Sequence, residues 1–223
     1  MRIRFKGSGF SVPEFWVRFC VLVLGSVLGS GCAKAEPGYE QTIAEARAEK
    51  DRAFKASRES PLKAPDRERF TALAYFPPDE SYRAAAALRV APKDQQPVIT
   101  MPTSTGKQRD YRQVGSLEFN LKGQPLSLVA FIEVPAAGMA ESNRLFVPFR
   151  DLTNGAETYP AGRYLELDPT PTGLYDLDFN KAYNPYCAYN EEYDCPYPPA
   201  SNRLKIPIRA GEKAFTTQVA RSP

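Results

Sequence analysis

At 223 residues, with 43% hydrophobic and 25% charged side chains, the chain suits one domain with a substantial core plus a targeting segment. Its formal charge of +3 is misleading: the first 31 residues hold Arg2, Arg4, Lys6 and Arg18 against Glu14, so totals of 29 basic and 26 acidic residues leave 25 of each in the remainder. A neutral domain lacks the basic excess that phosphates reward, which argues against nucleic acid as a partner. There is no histidine, so Ser-His-Asp and Cys-His nucleophile pairs and imidazole-based zinc sites are excluded. Any catalysis must run on carboxylates, Lys, Tyr or hydroxyls.

Residues 1–31 read as a signal peptide. The apolar stretch Phe19–Gly31 is too short for the roughly 20 residues of a bilayer span and right for the core of an export signal. Leu28-Gly29-Ser30-Gly31-Cys32 resembles a lipobox, with Gly29 in the slot that Leu usually takes, and makes Cys32 the expected lipid-attachment site. The rival site is Ala33-Lys34-Ala35, where cleavage after Ala35 would release a soluble periplasmic protein. The expected location is therefore the cell envelope, lipid-anchored to a membrane. Ala33 beside the lipid site suits an outer membrane facing the periplasm in a two-membrane cell.

Residues 32–37 then form a tether, and residues 38–60 a helix stopped by Pro61. Its apolar stripe (Tyr39, Ile43, Ala46, Phe54) is thin, which fits edge-on docking or a charged spacer. Pro65-Asp66-Arg67-Glu68 starts a short second helix that ends before Phe76-Pro77-Pro78. Residues 61–223 make one mostly-β domain. Leu117, Phe119 and Leu121 alternate with polar partners, Lys122-Gly123-Gln124-Pro125 turns, and Leu126–Val134 returns. Leu145–Phe149 is a further strand, and the Asn154-Gly155 turn leads into Glu157–Tyr159 and Arg163–Leu167. Leu174–Asn180 and Leu204–Ile208 complete the set, with Ala84–Val90 and Val98–Met101 as additions. The expected fold is mainly β with N-terminal helices, an antiparallel β-sandwich or partial barrel.

From Asp151 onward the chain is dense in Asp, Asn, Thr, Tyr, Arg and Pro. The runs Asp151-Leu-Thr-Asn-Gly155-Ala-Glu-Thr-Tyr159-Pro-Ala-Gly-Arg163-Tyr164 and Asp178-Phe-Asn-Lys-Ala-Tyr-Asn-Pro185-Tyr-Cys187 are followed by Cys195-Pro-Tyr-Pro-Pro-Ala-Ser-Asn202-Arg203-Leu204 and Ala210-Gly-Glu-Lys213. In these runs the chain resembles the uncharacterised bacterial proteins designated domain of unknown function 1684. Weaker similarity reaches back to about residue 38, and the departure lies upstream, where many relatives carry a longer insert. The resemblance implies a shared fold and supplies no activity.

Four groups of side chains are candidates for function. Cys187 and Cys195 are expected to form a disulfide in an oxidising compartment, with a redox-active or metal-binding pair as the other reading. Asp176, Asp178 and Asn180 would share one face of a strand. Their D-x-D-x-N spacing is that of a calcium loop, but Lys181 stands where the glycine belongs and Cys187 where the glutamate belongs, so no metal is expected. Asp151, Glu157, Arg163, Asp178, Arg203 and Glu212, with Thr153, Tyr159, Asn180, Asn184, Asn202 and Lys213, form a ligand-binding or structural polar cluster. Tyr183, Tyr186, Tyr189, Tyr193 and Tyr197 belong to an irregular loop, since Pro185, Pro196, Pro198 and Pro199 forbid a helix.

Phenols beside Asp and Asn suit a carbohydrate. The expected function is a non-catalytic binding or structural module recognising a polar ligand, a glycan or an envelope protein, without a cofactor. The alternative is a carboxylate-dependent hydrolase or lyase acting on an envelope glycan, with Asp151, Glu157 or Asp178 as acid and base. If the N-terminal reading holds, Cys32→Ala moves the protein from the membrane fraction to the soluble one on detergent phase separation. Unchanged partitioning would contradict lipidation.

Overall fold

The computed structural model describes residues 38–216. Two helices, α1 (Tyr39–Ala56) and α2 (Ala64–Arg69), precede seven strands: β1 (Arg83–Val90), β2 (Val98–Pro102), β3 (Gln108–Leu121), β4 (Gln124–Glu133), β5 (Leu145–Phe149), β6 (Arg163–Leu167) and β7 (Leu174–Asp178). The strands form one antiparallel sheet in the order β6-β5-β4-β3-β1-β7, with β2 also on β3. The sheet curls into an open half-barrel, which is the partial barrel of the two forms the sequence allowed.

The β3–β4 hairpin is the spine. Its two-residue turn, Lys122-Gly123, has φ of 51° and 79°, the pair of positive angles that matches strand twist in a tight hairpin. Strand β3 is 14 residues long and takes two partners end to end, β2 over Gln108–Arg112 and β1 over Gly115–Phe119. Between them lies a β-bulge, where pairing steps from Gln113↔Phe131 to Gly115↔Ala130. The extra residue, Val114, inverts the alternation of side chains. Downstream, Leu117, Phe119 and Leu121 face the main core with Leu128 and Ala130. Upstream, Tyr111 turns to the opposite face, beside Phe131 and Met101. Gly115 is required here because a Cβ would lie 2.2 Å from the Arg89 carbonyl oxygen of β1.

Period-two alternation then assigns the rest. Leu145, Val147, Phe149, Leu165, Leu167 and Leu177 enter the main core, while Phe146, Tyr164 and Glu166 project from the other face. Strand β7 ends at Asp178, and the chain continues as a 3-10 turn, Phe179–Lys181, whose Phe179 is fully buried against Phe149 and Phe119. Asp176 is consequently exposed on Arg83 whereas Asp178 and Asn180 are buried, so the three do not share one face.

Two expected strands are absent. Glu157–Tyr159 belongs to the turn that follows Asp151, held by backbone bonds from Glu157 and Thr158 to the Thr153 carbonyl. The segment around Leu204–Ile208 is an extended strap and not a full strand. Its start makes one parallel bridge, Arg203 to Arg150, with backbone bonds between Leu204 and Arg150 and between Leu152 and Ile206. Beyond it Pro207 lacks a donor and Ile208 bonds to side chains instead.

Helix α1 stops at Ala56, short of Ser60, whose hydroxyl bonds back to the Phe54 carbonyl at 2.5 Å. It docks by one edge, and that edge is as polar as it is apolar. Ile43 and Phe54 are buried, Ala46 is exposed, and between the apolar pair Arg47 bonds to the carbonyls of Phe76 (2.8 Å) and Asn180 (3.3 Å). Tyr39 donates to Asp178 at 3.0 Å and Lys50 to Glu212 at 2.5 Å. Residues 39, 43, 47, 50 and 54 thus form one face at helical spacing. Gly115→Ala should lower stability by about 1–3 kcal/mol, the range for forcing atoms into a filled site, measured as a lower urea midpoint. An unchanged midpoint would contradict the close approach of β1 to β3.

Candidate functional site

The residues singled out as a polar cluster sort into separate networks. In the first, Arg163 opens β6 with its side chain fully buried. Its guanidinium donates to the carbonyls of Ile208 (2.7 Å), Ala210 (2.5 Å) and Glu212 (3.1 Å) and to Asp151 Oδ2 (2.9 Å). The other Asp151 oxygen accepts the Thr153 hydroxyl (2.6 Å) and N–H (2.8 Å) and the Ile208 N–H (3.1 Å). Thr153 meets Thr158 at 2.8 Å. Burial draws the guanidinium pKa down and Asp151 opposes that. Such a pair, with both Asp151 oxygens and both terminal guanidinium nitrogens bonded and only the Arg163 Nε–H without a partner, tolerates its own desolvation.

In the second network buried Glu212 accepts Lys50 at 2.5 Å on one oxygen, and the Tyr189 hydroxyl (2.5 Å) and Asn184 N–H (2.8 Å) on the other. Asn184 in turn donates its amide to the Lys213 carbonyl at 2.8 Å. Burial and Glu212 push the Tyr189 phenol well up. The third joins Asp178 to Tyr39 and to the Asn180 N–H at 2.9 Å. In the fourth the Asn202 amide spans β4 and β5, accepting Val129 N–H (2.8 Å) and donating to the carbonyls of Val129 (2.9 Å) and Pro148 (2.8 Å). At the surface Glu157 pairs with Arg209 at 3.0 Å, Arg203 is exposed, and Lys213 lies over the Phe76 ring at 4.8 Å. Of the three carboxylates considered as acid and base, Asp151 is engaged by Arg163, Glu157 by Arg209, and Asp178 by Tyr39 and Asn180.

The open space lies elsewhere. On the sheet face opposite the main core is a groove of about 760 Å³, within the range of ligand pockets. Its floor is Tyr111, Phe146 and Tyr164, with Tyr111 and Phe146 stacked at 5.4 Å and Phe146 and Tyr164 edge-on at 4.8 Å. The loop 183–196 forms the facing wall with Tyr183, Tyr186 and Tyr193, the last two 5.2 Å apart and edge-on. Charged side chains rim it in pairs: Arg109 with Glu133 (3.2 Å) and Asp194 (3.0 Å), and Arg144 with Glu166 (2.5 Å). The Tyr183 hydroxyl donates to Glu166 at 2.8 Å. Hydroxyls of Thr103 and Thr105, then Arg109, hold the Asp194 carboxyl down to about 2.

The tyrosine loop was visible in sequence. Tyr183, Tyr186 and Tyr193 line the groove, Tyr189 is buried in a second apolar cluster with Phe54, and Tyr197 is exposed. Arg109, Tyr111, Glu133, Phe146 and Glu166 on the strands, and Arg144 just before β5, were not singled out. The charged ones among them stand at outward positions of alternating strands or at a strand end, which read as a solvated face.

The expected Cys187–Cys195 disulfide is not formed, and both residues carry free thiols. The local fold turns the Cys187 backbone N–H onto the Cys195 sulfur at 3.3 Å, so the two sulfurs are neighbours and not bonded. Among the described residues no three Cys, Asp or Glu side chains gather as a metal site. No helix among them is long and apolar enough to cross a membrane. Cys32 and the export signal lie outside the described residues.

The family model described as "Protein of unknown function (DUF1684)" matches residues 68–213. The chain belongs to the DUF1684 family. The solution NMR structure of the uncharacterised protein from gene locus rrnAC0354 of Haloarcula marismortui is 39% identical, with a TM-score of 0.60 over 78% of this chain and 94% of that one. That relative is archaeal, so the family is not the purely bacterial one the resemblance implied. No curated protein matches the chain.

In this DUF1684 chain the Arg163 network is inaccessible and acts on the fold. Arg163→Ala should cost about 3–5 kcal/mol, since it leaves Asp151 as a buried unpaired charge. Arg209→Ala, which removes an exposed partner of Glu157, should leave the denaturation midpoint where it was. Equal midpoints for all three proteins would contradict this division.

Proposed function

We propose that the chain is a non-catalytic envelope module that binds a polar, ring-bearing ligand of the glycan class in the groove between β3–β6 and the loop 183–196. One observation carries the reading: a floor and wall of six aromatic rings joined to a rim of paired charges. Sugar rings stack their C–H faces on aromatics, and rim carboxylates and guanidiniums take their hydroxyls. Lys50, Arg109 and Arg144 balance Glu133, Glu166 and Asp194 around the groove, which suits a neutral or zwitterionic ligand better than a polyanion. The envelope address rests on Phe19–Gly31 and Cys32, and the expected partners follow from it: the membrane through a lipid anchor, and a glycan or envelope protein.

A second reading is favoured by the same rim. Glu133, Glu166 and Asp194 line one groove, and glycoside cleavage needs two carboxylates and no histidine. In that chemistry Asp194, ionised down to about 2, serves as base or nucleophile, and the acid has to be Glu133 or Glu166.

Calorimetric titration with soluble oligosaccharides, peptidoglycan fragments included, separates the readings. Binding should be saturable, without product, and weakened roughly three- to tenfold by Tyr186→Ala, the worth of one aromatic contact at about 0.5–1.5 kcal/mol. Released fragments that vanish in Glu166→Gln would establish the hydrolytic reading. Full affinity in a folded Tyr186→Ala protein would remove the groove from the account.

A further inference from the structure

Cys187 and Cys195, eight positions apart, sit in unlike surroundings. Cys187 is half-exposed on the 3-10 turn Tyr186–Ala188, with the Tyr159 hydroxyl 3.7 Å from its sulfur. Cys195 is 8% exposed and lines the groove. Its peptide is tied on both sides to the β2–β3 turn, the N–H to Ser104 Oγ at 3.1 Å and the carbonyl to the Ser104 N–H at 2.9 Å. Cys187 is thus the more exposed residue of the two, among hydroxyl donors, and Cys195 is held beside it by Ser104.

We propose that this pair is a thiol–disulfide exchange site for small aliphatic disulfides, with Cys187 as attacking sulfur and Cys195 as resolving sulfur. The Cys187 thiolate attacks one sulfur of the substrate disulfide, forming a mixed disulfide and expelling one thiolate, which takes a proton from water. The Cys195 thiol then loses its proton and its sulfur attacks Cys187 Sγ, expelling the second thiolate. Two protein thiols are oxidised to one disulfide, and one substrate disulfide is reduced to two thiols.

The roles follow from the donors. The Cys195 thiol first, then the hydroxyls of Tyr159 and Ser104, hold the Cys187 thiol down to about 6, while the bond to Cys187 and burial push Cys195 up. The other titratable groups facing the pair are the phenols of Tyr111 and Tyr164 and the Arg109 guanidinium, with Tyr197 beside Tyr159. Near pH 7 the Cys187 sulfur is therefore the nucleophile and that of Cys195 a protonated reserve. The loop between the two cysteines carries Tyr193, and Tyr186 precedes it, so oxidation would tighten the groove wall. The exchange chemistry itself does not depend on the glycan reading.

The test uses the reduced full-length chain, alkylated with iodoacetamide across a pH series and read residue by residue by peptide mass spectrometry. Cys187 should react more than about tenfold faster than Cys195 near neutral pH, with a midpoint near 6 in place of the ordinary thiol value of about 8.5. Its reactivity should be lost as pH falls through that midpoint, and Tyr159→Phe should shift the midpoint upward. With oxidised glutathione the wild type should end as the internal disulfide and release two equivalents of glutathione thiol, while Cys195→Ser should stop with glutathione on Cys187. A Cys187 midpoint at the ordinary value, faster reaction of Cys195, or a mixed disulfide that persists in the wild type would each overturn the proposal. Should Cys195→Ser fail to fold, the wild-type pH profile and end product decide.

Discussion

The Arg163 guanidinium, without contact to water, holds three carbonyls of the C-terminal strap and the Asp151 carboxylate at once. The first half of the strap pairs with Arg150–Leu152 through backbone bonds, but the carbonyls of Ile208, Ala210 and Glu212 lie beyond that pairing and would otherwise be buried without these donors, at about 1–3 kcal/mol each. A planar fork of five N–H donors spreads its hydrogen bonds over several acceptors held in different directions, whereas a lysine gathers its three donors at a single point of charge. Asp151 completes the arrangement by neutralising the fork and accepting the Ile208 N–H. Gly211, at φ 74°, lets the strap pass within reach of the Ala182 carbonyl, where a Cβ would stand 2.5 Å away.

Glu212 follows directly, and from it three elements are positioned. Lys50 brings in α1, the Asn184 N–H fixes the start of the tyrosine loop, and the Tyr189 hydroxyl fixes its middle. That loop is the movable-looking side of the groove, yet it is tied to the core through one carboxylate and, at its far end, through Ser104 and Cys195. The opposite side is sheet, where the bulge at Val114 sends Tyr111 to the groove face. A groove with one wall of strand and one wall of anchored loop is pre-formed, which lowers the ordering cost of taking up a ligand.

Much of this was legible beforehand. The alternation of Leu117, Phe119 and Leu121, the hairpin turn at Lys122-Gly123 and the Asn154-Gly155 turn led to the antiparallel half-barrel, since pattern and turn chemistry agree there. The density of Asp, Asn, Thr and Arg after Asp151 marked the buried polar networks. What sequence spacing could not show was their partition, because Asp151 meets Arg163 and Glu212 meets Lys50 only through the strap and α1, 12 and 162 positions apart. The groove was illegible for a different reason. Arg109, Glu133 and Glu166 occupy the polar half of alternating strands and Arg144 immediately precedes β5, a pattern identical to that of a solvated face. Likewise Arg47 and Lys50 looked like surface charges on a helix with a thin apolar stripe, and they prove to be half of its docking face.

Amide hydrogen exchange of an Arg163→Lys protein tests most directly whether one fork organises both strap and loop. The positive charge facing Asp151 remains, and most of the fork is gone. The account predicts that the amides of Ile208, Glu212, Lys213 and Asn184 lose protection together, while those of Leu117 and Leu128 in the β3–β4 hairpin keep theirs. Protection unchanged throughout, or lost evenly across strap and hairpin alike, would contradict it.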